Sequence, residues 1–530
     1  MSLYSSQLAT STKAMVTSPH TLASAAGLEV LKAGGNAIEA AIAVATALSV
    51  TYPHFNGLGG DAFWVISDQS GAVQTISGIG QAAVQLPDFS GAIPQRGARS
   101  ALTTAAAVDS WDQAYQISKT QWRGQQSWPS LFNRAIEYAS VGFPVTESQH
   151  FWQRLRGNVL RDLSGFSETF APGGGLLSIG EHFAQPQLAR SLECIAQYGA
   201  REFYEGDLAA DIASGLEQAG SPIRLADLVH THARVESPLR VAYRDGELVS
   251  LRPPTQGVTT LQIMGILDRF DMSTIAEGSA DYYHLLVEAV KCAFRDRDRL
   301  VCDPDYKSVP IDHMLSSAVL DAHAQSIHLQ HARAWPEVFK HGDTAFIGVC
   351  DQEGRCVSLL QTIYFDWGSG IVAGDTGILW HNRGASFSTD PLHHNALQSG
   401  KRPFHTLNPG MYLKEGRPHL LFGTQGADGQ PQTLAAILTR LIDYQMDPYT
   451  ALARPRFLLG KTFSDTRDAL KLEEDAGRSV FAELTARGHE VSAIPAQSQL
   501  AGHPGVIRID ADHTLTGAHD PRSNGLAIGL

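Results

Sequence analysis

Small and apolar residues recur at helical spacing in two stretches near the start of the chain. Leu22 to Leu31 predicts a helix, which Gly34-Gly35 would end as a C-cap does. Asn36 can cap a second helix, with Glu39 reaching back to it as in a capping box. Residues 40–48 are almost all small or apolar, so we expect this second helix to be buried on most of its faces.

A glycine-rich segment, His54 to Asp61, leads into the apolar run Ala62 to Ile66. A phosphate-binding loop would need a following Lys-Ser/Thr pair, or a helix directly after the glycines. This segment has neither, and the apolar run predicts a strand. Nucleotide binding is therefore not the expected function of these glycines.

The pattern changes in character near residue 343. Before it, Asp281 to Arg299 predicts a long helix, and the polar, histidine-rich stretch from His323 to His341 predicts an exposed, flexible linker. After it, Thr344 to Val349 and Cys356 to Tyr364 predict a β-hairpin around the turn at 351–354. A helix is predicted over Gln432 to Tyr444, followed by further alternation of strands and helices.

Composition and charge narrow the function classes. The 530 residues are 43% hydrophobic and 18% charged, as in an ordinary globular protein, and the net charge of −13 argues against nucleic acid or an anionic membrane as partner. No signal peptide is recognisable, and the longest apolar stretch, 40–50, is too short to span a membrane. Five scattered cysteines fit a reducing compartment. We expect a soluble, cytoplasmic protein.

Several common catalytic patterns are missing from the sequence. No serine has the G-x-S-x-G frame, and no H-E-x-x-H occurs. His328, His331 and His341 lack the spacing of metal ligands on a helix. Cys350 and Cys356 flank one predicted turn and are interpreted as small strand residues. Neither a metal nor an organic cofactor is expected.

Thr344 is the remaining candidate, because it opens a strand directly after the predicted linker. A threonine at a free N-terminus carries its own base, since an α-amine with a pKa of about 7.7–8.0 can accept the hydroxyl proton near neutral pH. By composition alone Thr344 would be an ordinary strand residue. A catalytic role requires that the chain be cut before it.

The chain resembles the γ-glutamyltransferase family of N-terminal-nucleophile hydrolases along nearly its whole length. The stretches that carry this resemblance are residues 14–20, 31–37, 53–60, 368–372 and 377–378. Within the family it is similar to the branch that hydrolyses oxamate, in residues 253–257, 342–344, 382–387, 401–409, 426–432 and 520–525.

The resemblance implies a fold and a processing event. We expect an α+β protein, a four-layer αββα sandwich, in which the Asp343–Thr344 bond is broken autocatalytically. Residues 1–343 would form the large subunit and 344–530 the small one, both within one αββα unit. We expect the two cleaved chains to stay associated, and a dimer of such heterodimers is an expected assembly.

The resemblance also assigns catalytic roles. Thr344 matches the nucleophile of the family, and Thr362 matches a threonine that hydrogen-bonds near the nucleophile's amine. Gly426 and Ala427 stand where the family has two glycines whose backbone N–H groups form the oxyanion hole. Alanine can serve as that donor unless the position needs a positive φ.

Departures from the glutamyl-transferring members bear on the substrate. Those members hold the substrate's α-carboxylate with an arginine where this chain has residues 77–80, and its α-amino group with an acid where this chain has residues 385–387; neither charge is present here. In the same region lie Arg383, His405, Thr406 and Asn408. Arg383 could grip a small carboxylate next to the scissile amide, or could be a structural arginine paired with a local acid.

The sequence thus predicts a self-processing amidohydrolase of a small acid amide, with oxamate, cleaved to oxalate and ammonia, as the expected substrate. A γ-glutamyl hydrolase or transferase, or an acylase of the same family, is the first alternative. The second is an unprocessed, non-catalytic homologue that serves as a binding or scaffolding protein.

Overall fold

The structure is a computed structural model that describes residues 7–335, 343–460 and 468–530. The strands described there are β1 (Ala9–Ser11), β2 (Met15–Ser18), β3 (Asp61–Ser67), β4 (Val73–Gly78), β5 (Phe143–Pro144), β6 (His182–Phe183), β7 (Arg234–Glu236), β8 (Leu239–Tyr243), β9 (Gly246–Ser250), β10 (Asp343–Cys350), β11 (Cys356–Tyr364), β12 (Gly410–Lys414), β13 (Arg417–Thr424), β14 (Phe457–Leu459), β15 (Leu470–Glu473), β16 (Val491–Ile494), β17 (Pro504–Ile509), β18 (Leu515–His519) and β19 (Leu526–Gly529).

The helices of the same residues are α1 (Thr21–Lys32), α2 (Ala37–Thr51), α3 (Ala107–Gln121), α4 (Asn133–Val141), α5 (Glu147–Leu160), α6 (Phe166–Phe170), α7 (Pro186–Tyr198), α8 (Glu202–Glu205), α9 (Asp207–Gln218), α10 (Leu225–Val229), α11 (Gly257–Leu267), α12 (Ala280–Leu300), α13 (Ile311–Met314), α14 (Ser317–Gln325), α15 (Gln430–Ile442), α16 (Pro448–Ala453) and α17 (Arg478–Ala486). Short 3₁₀ turns include Arg383–Ser386 and Ala427–Gly429, both of which contribute to the site described below.

Two large antiparallel sheets form the centre of the molecule. One has the strand order β1-β18-β17-β13-β12-β9-β8, and the other β19-β2-β10-β11-β3-β4-β7. Their facing sides share an apolar core that includes Phe346, Leu360 and Leu421. Helices α1 to α3 cover the outer face of the second sheet, and α11, α12 and α15 cover that of the first. This arrangement is the αββα sandwich that the sequence predicted.

The helix predictions for the first fifty residues are confirmed. Asn36 accepts hydrogen bonds from the backbone of Ile38 and Glu39, and the Glu39 carboxylate accepts one from the backbone of Asn36. Every residue of α2 is buried. The reason is its place in the fold, since α2 packs between α1 and the β10–β11 hairpin.

The predicted hairpin is also confirmed, with Cys350 directly opposite Cys356 across β10 and β11. Their sulfur atoms lie 3.6 Å apart, both side chains are buried, and both thiols are free. Burial raises the pKa of the Cys356 thiol well above its ordinary value. This pair therefore packs as small strand residues, as interpreted from the sequence.

The linker predicted over His323 to His341 is wrong in its first part. Residue 323 belongs to α14, and its imidazole Nε2 lies 2.9 Å from a carboxylate oxygen of Asp296 on α12. Further along, the backbone N–H of Arg333 contacts the Glu288 carboxylate at 3.2 Å. These contacts hold the segment against α12. A local sequence pattern does not indicate them, because the partners are distant in the chain. Residues 336–341 lie outside the described residues.

Both large sheets combine strands from the two sides of the Asp343–Thr344 bond. Strands β8 and β9 lie in the sheet of β12 and β13, and β10 lies between β2 and β11. Strand β10 itself contains both Asp343 and Thr344. The two parts of the chain therefore build one core.

Candidate active site

Thr344 lies buried on β10, where the pairing with β11 is irregular. Asp343 pairs with Tyr364 and Ala345 with Gln361, so the register shifts opposite Thr344. Bulges of this kind re-aim side chains and occur often beside active sites. Thr362 lies within the shifted part of β11, and its hydroxyl oxygen accepts a hydrogen bond of 2.8 Å from the backbone of Tyr364.

The glycine-rich segment between α2 and β3 packs against this shifted part of β11. A β-carbon placed on Gly60 would lie 2.1 Å from the Thr362 carbonyl oxygen, and one on Gly59 would lie 2.5 Å from the Leu379 carbonyl oxygen. The glycines therefore allow backbones to approach closely. The segment has a structural role next to Thr344, consistent with its failure to match a phosphate-binding loop.

The Thr344 hydroxyl oxygen accepts a hydrogen bond of 3.1 Å from the side-chain amide of Gln430, the first residue of α15. The other end of that amide accepts a hydrogen bond of 3.3 Å from the backbone N–H of Asn408. Gln430 is a site residue that the sequence reasoning missed. Its signal was present, because the stretch 426–432 was among those that carry the resemblance.

Gly426 and Ala427 lie directly before α15, with φ values of +127° and +46°. The second value places a residue with a β-carbon in the left-handed region, which favours glycine. The position therefore does need a positive φ, and alanine occupies it under strain. The side-chain amide of Gln256 helps to hold this turn, because it donates to the Ala427 carbonyl oxygen at 2.7 Å.

Arg383 is completely buried in the 3₁₀ turn that begins with it. Its guanidinium carbon lies 3.6 Å from the centre of the Tyr364 ring, and its Nη1 donates to the Thr406 hydroxyl at 3.3 Å. Its Nε and Nη2 have no hydrogen-bond partner among the described residues, and the charges of Asp61 and Asp428 act on the guanidinium without hydrogen-bonding to these two nitrogens. Burial lowers the pKa of Arg383 to about 10, which leaves it charged at neutral pH.

The segment that contains His405, Thr406 and Asn408 connects Arg383 to Gln430. His405 uses both ring nitrogens within the protein: Nε2 lies 3.1 Å from the Asp61 carboxylate, and Nδ1 lies 3.3 Å from the backbone N–H of Leu407. Burial, and then the charge of Arg383, lower the pKa of His405 to about 3, so the ring is neutral. The structure thus brings the four predicted substrate residues together: Thr406 contacts both Arg383 and Asn408, and His405 precedes it in the chain.

A cavity of about 310 Å³ adjoins these residues. Tyr364, the ring on which Arg383 stacks, forms part of its wall, and so do Ser386, Phe404, Arg297 and Asp428. Arg297 is balanced by nearby acids, with nitrogen–oxygen distances of 2.7 Å to Asp298 and 3.6 Å to Asp428. Tyr364, Arg297 and Asp428 were also missed, because only the fold places them at one cavity.

One other cluster has the side chains of a metal site. His284, Glu288 and His489 hold candidate ligand atoms within 4.8 Å of one another. The two imidazoles hydrogen-bond to each other at 2.8 Å, and the Lys291 ammonium lies 2.7 Å from the Glu288 carboxylate. The ligand atoms therefore already have protein partners, including a cation.

The helices of the described residues are all too short or too polar to cross a bilayer.

A family model described as gamma-glutamyltranspeptidase matches residues 23–530. The oxamate amidohydrolase proenzyme of Klebsiella pneumoniae is 42% identical over 524 residues, which cover 98% of this chain and 99% of that protein. The glutathione hydrolase-like YwrD proenzyme of Bacillus subtilis is 39% identical over 524 residues, with the same coverage. A cephalosporin acylase from Bacillus halodurans has a similar structure, with a TM-score of 0.91, 30% identity and coverage of 99% of this chain and 97% of that one.

Proposed function

The chain belongs to the gamma-glutamyltranspeptidase family of amidohydrolases and transpeptidases, and we propose that it is a self-processing amidohydrolase that cleaves the amide of a small, carboxylate-bearing substrate. Oxamate is the substrate proposed first. The relative named oxamate amidohydrolase proenzyme supports this choice, at 42% identity over almost the whole length of both chains.

Arg383 carries the proposal. A buried guanidinium with two nitrogens left without partners among the described residues is costly unless an anion binds it. The planar fork of arginine suits a carboxylate, which can accept two parallel hydrogen bonds from it. A carboxylate docked on Nε and Nη2 would complete the arrangement that Thr406 and Tyr364 begin on the other sides.

The nucleophile in this proposal is the hydroxyl of Thr344. Cleavage of the Asp343–Thr344 bond frees the α-amine, which takes the hydroxyl proton as the oxygen attacks the substrate's amide carbon. Backbone N–H groups of Gly426 and Ala427 donate to the developing oxyanion. The C–N bond breaks, the amine returns its proton to the leaving nitrogen, and ammonia departs. Water then hydrolyses the acyl ester, which gives oxalate when the substrate is oxamate.

The other predicted site residues support these groups. Thr362 lies on β11, the strand paired with that of Thr344, and we assign it the place beside the freed amine that the family resemblance implies. Thr406 orients Arg383 through its hydroxyl, and Asn408 positions Gln430 through its backbone. His405, predicted to bind substrate, has both ring nitrogens engaged within the protein, and we assign it the role of positioning Thr406. No metal or organic cofactor takes part.

An acylase is the second candidate, and the size of the cavity favours it. A volume of about 310 Å³ is several times that of an amide as small as oxamate, and it would accept a bulkier acyl group. The structural similarity to a cephalosporin acylase points the same way. Hydrolysis of oxamate compared with that of longer acyl amides and of γ-glutamyl amides separates these candidates.

The test of the proposal is the Arg383→Gln variant. We expect it to cut itself normally, because Arg383 acts on the substrate and not on the Asp343–Thr344 bond. Its KM for oxamate should rise at least about 30-fold, since removal of one member of a buried charge pair costs about 2 kcal/mol or more. Arg383→Lys keeps the positive charge but loses the planar fork, so its KM for oxamate should lie between those of the wild type and Arg383→Gln.

Steady-state kinetics with oxamate and with a neutral amide of similar size, such as pyruvamide, check this expectation. The neutral amide is the control, because its KM should change little on substitution. An oxamate KM that is the same in wild type and Arg383→Gln would refute the carboxylate site.

A further inference from the structure

We propose that Gln430 is a catalytic residue in both the self-cleavage and the amide hydrolysis, where its side-chain amide donates a hydrogen bond to the attacking oxygen of Thr344. This inference rests on the proposed role of Thr344 as nucleophile. It concerns a residue that directly contacts the reacting atom, at 3.1 Å, and that is wholly buried.

The orientation of the Gln430 amide follows from its second partner. The backbone N–H of Asn408 can only donate, so the amide oxygen of Gln430 must face it, at 3.3 Å. The NH₂ group is then the end that faces Thr344. The two ends of the amide are thus assigned by the hydrogen-bond network, and Gln430 is a donor to the Thr344 hydroxyl oxygen.

This orientation decides what happens to the hydroxyl proton. Because the oxygen accepts a hydrogen from Gln430, its own hydrogen points toward another acceptor. A glutamine amide does not titrate near neutral pH, so Gln430 cannot take that proton. It can stabilise the negative charge that grows on the oxygen as the proton leaves, in the way that a preorganised donor stabilises an oxyanion.

The place of Gln430 in the fold keeps this donor in position. It is the first residue of α15, followed by Pro431, a residue suited to the start of a helix. All thirteen residues of α15 are buried, so the helix that carries Gln430 is held within the packed core. The donor therefore needs little reorganisation when charge develops.

Gln430 also connects the nucleophile to the proposed carboxylate site. The Asn408 side chain donates to the Thr406 carbonyl oxygen at 3.3 Å, and the Thr406 hydroxyl accepts from Arg383. The path from Thr344 through Gln430, Asn408 and Thr406 to Arg383 is made of buried hydrogen bonds. It fixes the attacking oxygen relative to the group that would hold the substrate.

The Gln430 side-chain amide donates to the Thr344 oxygen in both self-cleavage and amide hydrolysis, and it is chemically unchanged by either reaction. In self-cleavage the Thr344 oxygen bonds to the carbonyl carbon of Asp343 and the peptide C–N bond breaks. The hydroxyl proton ends on the Thr344 nitrogen, and water hydrolyses the resulting ester. In turnover the oxygen bonds to the substrate's carbonyl carbon, and the proton leaves with ammonia.

Gln430→Met tests the inference, because methionine has a similar length and lacks the amide. We expect self-cleavage to slow and kcat for oxamate to fall about 100-fold, with little change in KM. Gln432→Met is the matched control. Gln432 lies two residues along the same helix, is equally buried and hydrogen-bonds to the backbone of Leu459, away from Thr344. Its variant should match the wild type in both rates.

Gln430→Glu gives a signature that a merely structural role would not produce. The ionised carboxylate can only accept, whereas the protonated acid can donate to Thr344. The ratio of its rate to the wild-type rate should therefore rise as the pH falls toward the ordinary glutamate pKa of about 4.3. This ratio remains informative even when Gln430→Met folds poorly.

The outcomes separate this inference from the function on which it rests. The role of Gln430 would be wrong, with that of Thr344 intact, if the wild-type chain cuts itself at Thr344 and Gln430→Met has wild-type rates. A rate ratio of Gln430→Glu to wild type that does not change with pH would lead to the same conclusion. A Gln430→Met variant that changes only KM would also contradict the role of Gln430. A wild-type chain that never cuts itself would overturn both proposals.

Discussion

Ala427 shows how a single residue can carry strain at a catalytic turn. Its φ of +46° is one that a residue with a β-carbon rarely adopts, at a cost of about 1–3 kcal/mol. The preceding Gly426, at +127°, occupies a conformation that is open to glycine. In the proposed mechanism the backbone N–H groups of this turn are the oxyanion donors, so the strain is stored where the mechanism needs them.

The first prediction concerns this strain. Ala427→Gly should leave the free energy of unfolding unchanged or raise it by up to about 1 kcal/mol, because the relief of strain offsets the greater freedom of glycine in the unfolded chain. Urea denaturation measures the change. At an ordinary helical position the same substitution costs about 0.5–1 kcal/mol. A loss of stability greater than 1 kcal/mol would show that the turn is not strained by its alanine.

The individual residues of the site could be predicted to different extents. Thr344 and Arg383 were identified from the sequence, because each lies in a recognisable stretch and its chemistry suggests a use. Gln430 was not, since its partner Thr344 lies 86 residues away and only the fold brings the two side chains together. His405 is next to Thr406 in the chain, but its hydrogen bond to Asp61 spans 344 residues, and no local pattern indicates it.

The secondary-structure elements follow local physics closely where the pattern is strong. Helix α12, predicted over 281–299, is observed over Ala280–Leu300, and the hairpin of β10 and β11 has the predicted bounds within one residue. The exception is the segment after residue 323. Its polar composition suggested a linker, yet in the described part Arg333 hydrogen-bonds to Glu288 of α12 and Ile327 is buried in the apolar core beside that helix. Tertiary contacts outweighed composition there.

The loop before β3 yields a prediction that separates two of its glycines. Gly60→Ala should destabilise the protein by about 1–3 kcal/mol and slow self-cleavage, because the new β-carbon would push against the Thr362 carbonyl oxygen, 2.1 Å away. Gly57→Ala is the control from the same loop, since its β-carbon would lie 3.3 Å from the Ile363 side chain and 3.7 Å from the Leu379 carbonyl oxygen, with no contact as close as that at Gly60. Denaturation curves and mass spectra of the two variants should differ clearly, and equal behaviour would contradict the close-packing account.

At the scale of the whole molecule, residues 1–343 and 344–530, which the proposed cleavage would make into two chains, share the same two sheets. Both sheets contain strands from each side of the Asp343–Thr344 bond, and one apolar core lies between the two sheets. A cut in β10 would therefore release no folded unit. This is the physical reason to expect the cleaved chains to stay associated.

Buried histidines should make the stability of the whole molecule depend on pH. Burial lowers the pKa of His20 and His503 to about 4 and that of His519 to about 3, and it lowers the pKa of His54 further below its ordinary value. In the unfolded chain each returns to about 6.5. Below that pH the unfolded state binds more protons, so stability is complete above about pH 6.5 and is lost as the pH falls toward 4.

We therefore expect the free energy of unfolding to fall between pH 7 and pH 5.5, by up to about 1.4 kcal/mol per pH unit for each of these histidines. Urea denaturation of the Thr344→Ala chain, which cannot cut itself, measures this without the complication of two polypeptides. His519→Gln should reduce the dependence of the free energy of unfolding on pH by the contribution of this one histidine. Stability that stays constant over this range would contradict the neutral state of the buried imidazoles.

The central claim is that Thr344 becomes an N-terminal nucleophile, and the intact mass of freshly purified protein under denaturing conditions tests it most directly. We predict two polypeptides, residues 1–343 and 344–530, with Thr344 at the start of the smaller one, and no cleavage in Thr344→Ala. A single chain of 57.2 kDa that persists for days would mean that Thr344 has no free amine. The catalytic account would then be wrong, and a binding or scaffolding role would take its place.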